Sequence, residues 1–594
     1  MSDTADHPSR PPDQDTSGEP SSDFTPNSAT LRTTAKPKRK LFFSRWGRGI
    51  YMDIRARAPW YISDWVDAWN YRVVPASALI FFANVLPGIA FSLDLIETTQ
   101  QYGVAEVLLS SFMAAFIFSV LGAQPLTIAG VTGTDSRPIT VFNKTIFDIL
   151  KREDNPPNYL HFIGWVYLWG AIFHWVTAVL NWCNFLKYVT LFSCDTFGFY
   201  VSWVYLQYGI QVLTRQFPNS APGYLTSIIL ALLMLVTSFL FHILSRSPYF
   251  HRHIRRFLAD YGMPISLIAA SAMAYWGRFN SANPETLPVG PAFTPANGRE
   301  WLVRFWQLEG KWVGIAMPFG IVLWILFFFD HNVSSLMAQG SEFPLRKPPG
   351  FHWDFFLLGV TTFIAGLIGL PAPNGLIPQA PIHTTSLLIM GQKGKSRAAS
   401  PTLSNRSHKS NSVSGAPPAP RDKLEPPRDP VAHDVMYNEV PIGVVEQRVS
   451  NLAQGSFCLV LLTGPLLHVL GLIPRGVLAG LFWYMGLEAL QSNGITKKLL
   501  YLLQDRRLTP SNDPLHRVRK SRILIFTAVE LVGFGATFAI TQTIAAIGFP
   551  VIIMLLIPVR IWIIPRLPFT DEELAILDGP TASPYTMESV GGSI

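Results

Sequence analysis

From residue 74 to residue 565 the chain alternates between apolar runs and short polar loops. Many of the runs are about twenty residues long, the length that crosses the hydrocarbon core of a bilayer as a helix. Only helices whose backbone bonds close internally can span there in such stretches. The pattern predicts segments at 74–94, 104–123, 125–147, 160–182, 188–214, 224–244 and 260–277. A second set is predicted at 312–336, 353–371, 373–390, 451–472, 474–491, 521–541 and 544–565. The fold class is therefore an all-α polytopic membrane protein of about fourteen segments, in two groups of seven. Residues 59–277 make the first group and 312–565 the second, with an insertion at 391–440 and an extracellular loop at 278–311. The flanks, 1–58 and 566–594, read as cytoplasmic tails, and the polar opening of the first shows no cleavable signal. Its composition predicts disorder.

Charge adds the orientation. Only 14% of residues are charged, against about 25% in soluble domains, and the cations gather in a few places. Arg32 to Arg57 precede the first span, Arg246 to Arg256 follow the sixth, Lys393 to Arg428 the tenth, and Lys497 to Lys520 the twelfth. Basic loops favour the cytoplasm, so both termini are expected inside. Lys151 and Arg152, and a few basic residues in 278–311, blunt the pattern. The net charge of +8 thus reflects topology, and no nucleic-acid partner is expected. Ahead of the first span, WYISDWVDAWNY carries Trp60, Trp65 and Trp69 with Asp64 and Asp67 between them. This predicts an amphipathic helix in the bilayer interface.

Catalytic chemistry finds little support. Cys183, Cys194 and Cys458 are scattered through apolar segments and form no ligand cluster. There is no HExxH pair, GxSxG elbow or P-loop. No metal, cofactor or enzymatic activity is expected, and transport would run on ion or substrate gradients.

The third and tenth segments carry the functional signal. The third, QPLTIAGVTGTDSRPITVFNKTIFDIL, is interrupted by Gly130, Gly133 and Pro138. The tenth, GLPAPNGLIPQAPIHTTSLLI, is interrupted by Pro371, Pro373, Gly375, Pro378 and Pro381. Proline removes a helix donor and glycine weakens a helix, so neither segment is a continuous span. They hold the same place in each group of seven, which is the mark of an inverted-repeat transporter's binding site. A half-helix starting there presents its positive end to the cavity and suits an anion.

These residues bring a resemblance with them. GAQPLTIAGVTG, PITVFNKTIFD, FFFDHNVSSLMAQ, GLIGLPAPNGLIPQAPIHTTSL, EQRVSNLAQG, IPRGVLAGLFWYMG, HRVRKSRILIFT and GFPVIIMLLIPVRIW resemble the anion-exchanger and bicarbonate-transporter family. The similarity runs from about residue 60 to residue 577 and is nearest to the fungal and plant borate exporters. It implies two inverted repeats, a core domain of segments 1–4 and 8–11, and a gate domain of 5–7 and 12–14. It also implies a homodimer joined through the gates and an elevator-like movement of the core. The substrate would lie between the facing ends of segments three and ten. That assigns Thr132, Gly133, Pro138, Ile139, Thr140, Pro378, Gln379 and Ala380 to substrate binding.

Gln379 falls where animal bicarbonate exchangers carry an arginine. A neutral amide can bond a hydroxylated anion but supplies no fixed charge, which tilts the substrate from bicarbonate toward borate. One departure stands out: related chains read VTGPITVFN, whereas this chain carries Thr134, Asp135, Ser136 and Arg137 as extra residues.

Asp330 ends the run IVLWILFFFD. A carboxylate at membrane depth costs about 2.5–3.5 kcal/mol on insertion scales, so it generally faces a cavity or a partner. The family has an acidic residue there, implying substrate or proton handling. Asn332 and His383 are further candidates for bonding the substrate. Glu530, Glu488, Asp195 and Arg560 read as internal pairs between helices. The family implies the plasma membrane, with vacuolar or endosomal membranes second. Sulfate carriers of similar architecture usually carry a sizeable domain after the last span, and only about thirty residues follow 565 in this chain. A nucleobase permease fits the topology but not the motifs.

Overall fold

A computed structural model describes residues 46–131, 133–217, 221–392, 439–505 and 513–591. Most of the expected tail 1–58 and of the insertion 391–440 lies outside the described residues. The described residues are mostly helical, and each of the fourteen predicted segments contains a helix. Among the described residues, eight helices are long and apolar enough to cross a membrane.

Two short helices come first, α1 (Arg48–Arg57) and α2 (Tyr61–Val66). The first group of segments follows as α3 (Val73–Thr99), α4 (Val104–Leu121), strand β1 (Ala129–Gly130), α5 (Gly133–Leu150), α6 (Tyr159–Val179), α7 (Leu191–Thr214), α8 (Ala221–Arg246) and α9 (Arg252–Met273). A one-turn helix, α10 (Arg278–Ser281), lies in the connecting loop. The second group runs α11 (Gly310–Ala338), α12 (Phe351–Ile368), β2 (Asn374–Gly375), α13 (Gln379–Ser386), β3 (Leu388–Gln392), β4 (Glu439–Val444), α14 (Val449–Leu461), α15 (Gly464–Gly471), α16 (Arg475–Ser492), α17 (Gly494–Leu503), α18 (Lys520–Thr541) and α19 (Phe549–Pro558). Two short helices close it, α20 (Asp571–Leu577) and α21 (Pro584–Ser589). The eleventh predicted segment is not straight: α14 and α15 meet at 91°.

Packing sorts the helices into two bundles. In one, α6 lies against α11 and α12, α14 against α3 and α4, and α5 against α3. In the other, α16 lies against α7 and α8, α9 against α8, and α18 against α7. The bundles meet where α3 touches α9, α11 touches α19 and α5 touches α7. They are the core and gate groups that the resemblance implies. On α8, Leu225, Ile229, Leu232, Val236, Leu240 and Ile243 remain exposed at three- and four-residue spacing. That apolar stripe on the gate is the outer surface of a membrane bundle, where lipid or another membrane helix is as good a solvent as Leu itself.

Several boundaries move. Residues 48–57 are helical, so the first tail is shorter than 1–58. The insertion is pinched at its base by antiparallel pairing of Leu388–Gln392 with Glu439–Val444, so its outermost residues belong to a ribbon. Within 278–311, Arg299 Nη2 pairs with the buried Glu106 at 3.3 Å and donates to Gly369 O at 2.8 Å, so this loop is seated on the core. The second tail, 566–594, is folded through residue 591.

The segment read as an interfacial helix is short, and its polar side faces inward. Trp69 is 96% exposed while Asp64 is fully buried. Asp64 accepts from Arg57 Nη2 at 2.9 Å, Lys347 Nζ at 2.8 Å and Arg448 Nε at 2.9 Å. Arg448 also donates to the last carbonyls of α4, Ser119 O at 3.0 Å and Gly122 O at 2.7 Å. A helix end leaves such carbonyls without partners. One carboxylate therefore ties the N-terminal helices to the end of α4, the α11–α12 loop and the start of α14. Three of the four charges read as internal pairs have partners in this bundle and its following segment: Lys498 Nζ meets Glu530 at 2.6 Å and Asp195 at 3.4 Å, and Arg560 meets Asp578 at 2.8 Å.

Candidate functional site

The two broken segments are joined to one another. Glycine and proline prevent helix formation in each, and the freed backbone groups pair across the break as β1 and β2. The ladder is antiparallel, with Ala129 opposite Gly375 and Gly130 opposite Asn374. Leu376 N–H extends it by donating to Ile128 O at 3.0 Å. Because the strands run in opposite directions, α5 and α13 leave the pair on opposite sides. Their N-termini, three and four residues beyond β1 and β2, face back toward it. The positive end of each half-helix is therefore the end nearer the pair.

Close approach is achieved with glycine. A Cβ on Gly375 would come within 2.8 Å of the His331 Cα, and one on Gly130 within 2.9 Å of the Asn84 amide. Asp330 lies mid-helix in α11, fully buried, and its Oδ2 accepts from Asn374 Nδ2 at 3.2 Å. This is not a helix cap but a carboxylate held against the broken strand. Asn374 Oδ1 in turn accepts the Gly375 N–H at 2.8 Å, and Ser334, one turn after Asp330, donates to Leu376 O at 2.9 Å.

Gln379 opens α13. Its Nε2 donates to Ala83 O on α3 and to Tyr205 Oη on α7, both at 3.3 Å. One amide therefore touches both bundles. A chain of amides flanks the pair: Asn84 donates to Gln454 at 2.9 Å, Gln454 to Asn451 at 3.0 Å, and Asn451 to Thr127 O at 3.5 Å. Buried Asn84 Oδ1, Asn332 Oδ1 and Gln379 Oε1 have no hydrogen-bond partner among the described residues. A buried acceptor left unpaired costs about 1–3 kcal/mol. Two side-chain donors at the pair, the Asn374 amide and the Ser334 hydroxyl, are neutral.

The other expected site residues are distributed as follows. Pro378 caps α13, and Ala380 packs in an apolar cluster with Ala76, Leu126 and Ala338. Asn332 Nδ2 donates back to Phe328 O at 2.7 Å along its own helix. His383 is one turn further from the pair, with Nδ1 3.0 Å from Leu126 O and Nε2 2.6 Å from Ser450 Oγ. Both ring nitrogens are thus taken by protein, and the residue braces α13 against the entry to β1 and against α14. Gly133, Pro138, Ile139 and Thr140 lie on the backbone of α5, while Thr132 is outside the described residues. The extra residues Thr134 to Arg137 form the first turn of α5, which makes Pro138 its sixth residue. Asn84, Tyr205, Asn374, Asn451 and Gln454 escaped sequence reasoning. Polar residues within otherwise apolar runs were the available signal, but which run faces which is a tertiary fact.

The HCO3- transporter integral membrane domain matches residues 45–221, 208–402 and 437–582 of this chain. Boron transporter 1 of Saccharomyces cerevisiae is 41% identical over 560 residues, covering 92% of this chain and 88% of its own length. Boron transporter 4 of Arabidopsis thaliana is 29% identical over 607 residues, covering 89% and 86%. Among solved structures, the transmembrane domain of a cyanobacterium bicarbonate transporter, BicA, aligns with TM-score 0.46 at 12% identity, over 78% of this chain and 96% of that one.

Proposed function

This chain belongs to the family defined by the HCO3- transporter integral membrane domain, and from that premise we propose that it is a secondary transporter that exports borate. The observation that carries the substrate is the Asp330 carboxylate held against the broken strand by Asn374, together with the unpartnered buried acceptors Asn84 Oδ1 and Gln379 Oε1 of the residues that flank the pair. Chloride brings no hydrogen-bond donor and bicarbonate a single hydroxyl. Borate brings four, together with a negative charge that the two helix N-termini favour. An amide at Gln379 suits such a ligand because it donates and accepts at once. Asp330 accepts from a hydroxyl, or takes up a proton as the anion leaves.

Movement follows from the division of the bundles. Both half-helices belong to the core, while Tyr205 reaches Gln379 from the gate. The core carries the anion across by an elevator-type slide against the gate, and that slide breaks the Gln379–Tyr205 contact. Two copies associate through their gates in the plasma membrane, with both termini in the cytosol. The chain performs transport and not catalysis, in keeping with relatives named as transporters. Bicarbonate or chloride exchange is the second reading, favoured by the positive helix ends, which attract any small anion.

The test is boron content in cells lacking their own exporter, challenged with boric acid, with and without this protein. Borate export predicts lower internal boron, and Asp330→Asn at equal surface abundance restores it. Unchanged boron with wild-type protein at the surface overturns the borate reading and points to bicarbonate or chloride flux.

A further inference from the structure

The segment after the last span was expected to be a plain tail, yet it crosses from one bundle to the other. Its first anchor is on the gate. Asp578 accepts the Phe192 N–H at 3.0 Å and the Arg560 Nε at 2.8 Å. Leu191 N–H donates to Gly579 O at 3.2 Å, Pro580 bridges Thr190, and Thr581 Oγ1 donates to Val189 O at 3.3 Å. Residues 578–581 thus lie along the start of α7, tied to it by main-chain and side-chain bonds. The next residue reaches the core, where Ala582 bridges Gly340, just past the end of α11. Two residues earlier, Ala338 O accepts from Thr384 Oγ1 at 2.9 Å. Thr384 lies on α13, the half-helix that begins with Gln379. Beyond Ala582, the turn of α21 is capped by Ser583 and buries Met587 and Val590 almost completely.

From this geometry we infer that residues 578–591 are a latch: a strap clasping gate and core on the membrane side that carries the basic loops, which must release Gly340 each time the core slides. The inference rests on the sliding core of the proposed function, but not on which anion is carried. A strap bound in one position of the core and not in the other stabilises that position alone and slows departure from it. Its gate anchor is an ion pair plus main-chain bonds, whereas it meets the core through the Ala582–Gly340 bridge. The core end is therefore the one that lets go.

Two variants test the latch. Partners in an antiparallel bridge have Cα atoms about 4.5–5.5 Å apart, within the range a disulfide spans. Gly340→Cys with Ala582→Cys is made in a Cys194→Ser background, since the Cys194 sulfur lies 3.7 Å from Thr581 Oγ1 and would compete. The atoms nearest a new Cβ at Gly340 are the carboxyl end of Glu342, which can swing away. Flux is measured in parallel as boron and as bicarbonate. Oxidation is expected to arrest it and reductant to restore it. An incorrect substrate assignment shows as flux of the other anion, still arrested by the disulfide. Flux that persists in fully cross-linked protein overturns the latch. The second variant, Asp578→Asn, loosens the gate anchor and is expected to raise the initial rate severalfold at equal surface abundance. A rate equal to or below wild type overturns the restraining role.

Discussion

Asp64→Asn removes the charge that three buried cations share. Arg57, Lys347 and Arg448 each have side chains no more than 6% exposed, and each lies within 3.0 Å of an Asp64 oxygen. The substitution leaves them facing Glu446, 4.0 Å from Arg57, and Asp67, whose side chain is 47% exposed. Breaking a buried pair by removing one partner costs about 3–5 kcal/mol, because the other charge stays buried without compensation. Glu446 and Asp67 offset part of that, so about 3 kcal/mol is expected for the core. The measurement is thermal unfolding of purified protein in detergent, beside Glu300→Gln. Glu300 pairs with Arg304 at 3.0 Å, but the two side chains are 73% and 52% exposed. An exposed pair contributes about 0–1 kcal/mol, so that control should barely move. Adding Arg448→Met to Asp64→Asn should recover part of the loss by removing one stranded cation. Recovery stays incomplete because Ser119 O and Gly122 O lose their donor. If Asp64→Asn is as mild as Glu300→Gln, the carboxylate does not clamp the N-terminal helices to the core.

Three further outcomes are expected. Gly375→Ala should abolish transport while protein still reaches the membrane, because the new Cβ meets main chain at His331 Cα, 2.8 Å away; transport at wild-type rate would show that the β pair has slack. Burial pushes the Asp67 carboxyl up, but hydrogen bonds from Lys347 and Ser63 outweigh it and hold the group below its ordinary 3.8. Its contribution is present above that value and lost as pH falls through the lower folded one, so Asp67→Asn should flatten the fall in melting temperature as the pH drops below about 4; equal slopes in both proteins would remove Asp67 from the acid response. Deleting Thr134 to Arg137 shortens α5 by about 6 Å and turns what remains by about 40°. Folded protein with equal or higher boron efflux is expected, and loss of efflux would show that this added turn belongs to a working site.

Much of the architecture was legible because a bilayer reads sequence one segment at a time. A run of apolar residues must close its own backbone bonds, so span existence and type followed from local pattern. The two breaks were legible for the same reason, since proline and glycine act on their own helix. Their pairing was not. Ala129 and Gly375 are neighbours only because two distant breaks leave complementary backbone groups at one depth. Asp330 was conspicuous as a charge in an apolar run, whereas Asn84, Asn374 and Gln454 were ordinary amides until the fold aimed them at one place. His383 shows the converse: polar and close to the break in sequence, it spends both nitrogens on bracing α13.

Composition also misled at the ends, because surface polarity does not say whether a segment has partners. Asp64 lies among tryptophans in a stretch that reads as a membrane-surface helix, and it is the carboxylate at the centre of the buried network. Residues 578–591 look like a tail and bind both bundles. By itself, then, the sequence determined the spans, the breaks and the family, each of which depends on local hydrophobicity or local order. Only the tertiary structure decided which breaks meet, which amides keep an unsatisfied oxygen, and where the last segment fastens. Those depend on atoms hundreds of residues apart arriving within hydrogen-bonding distance.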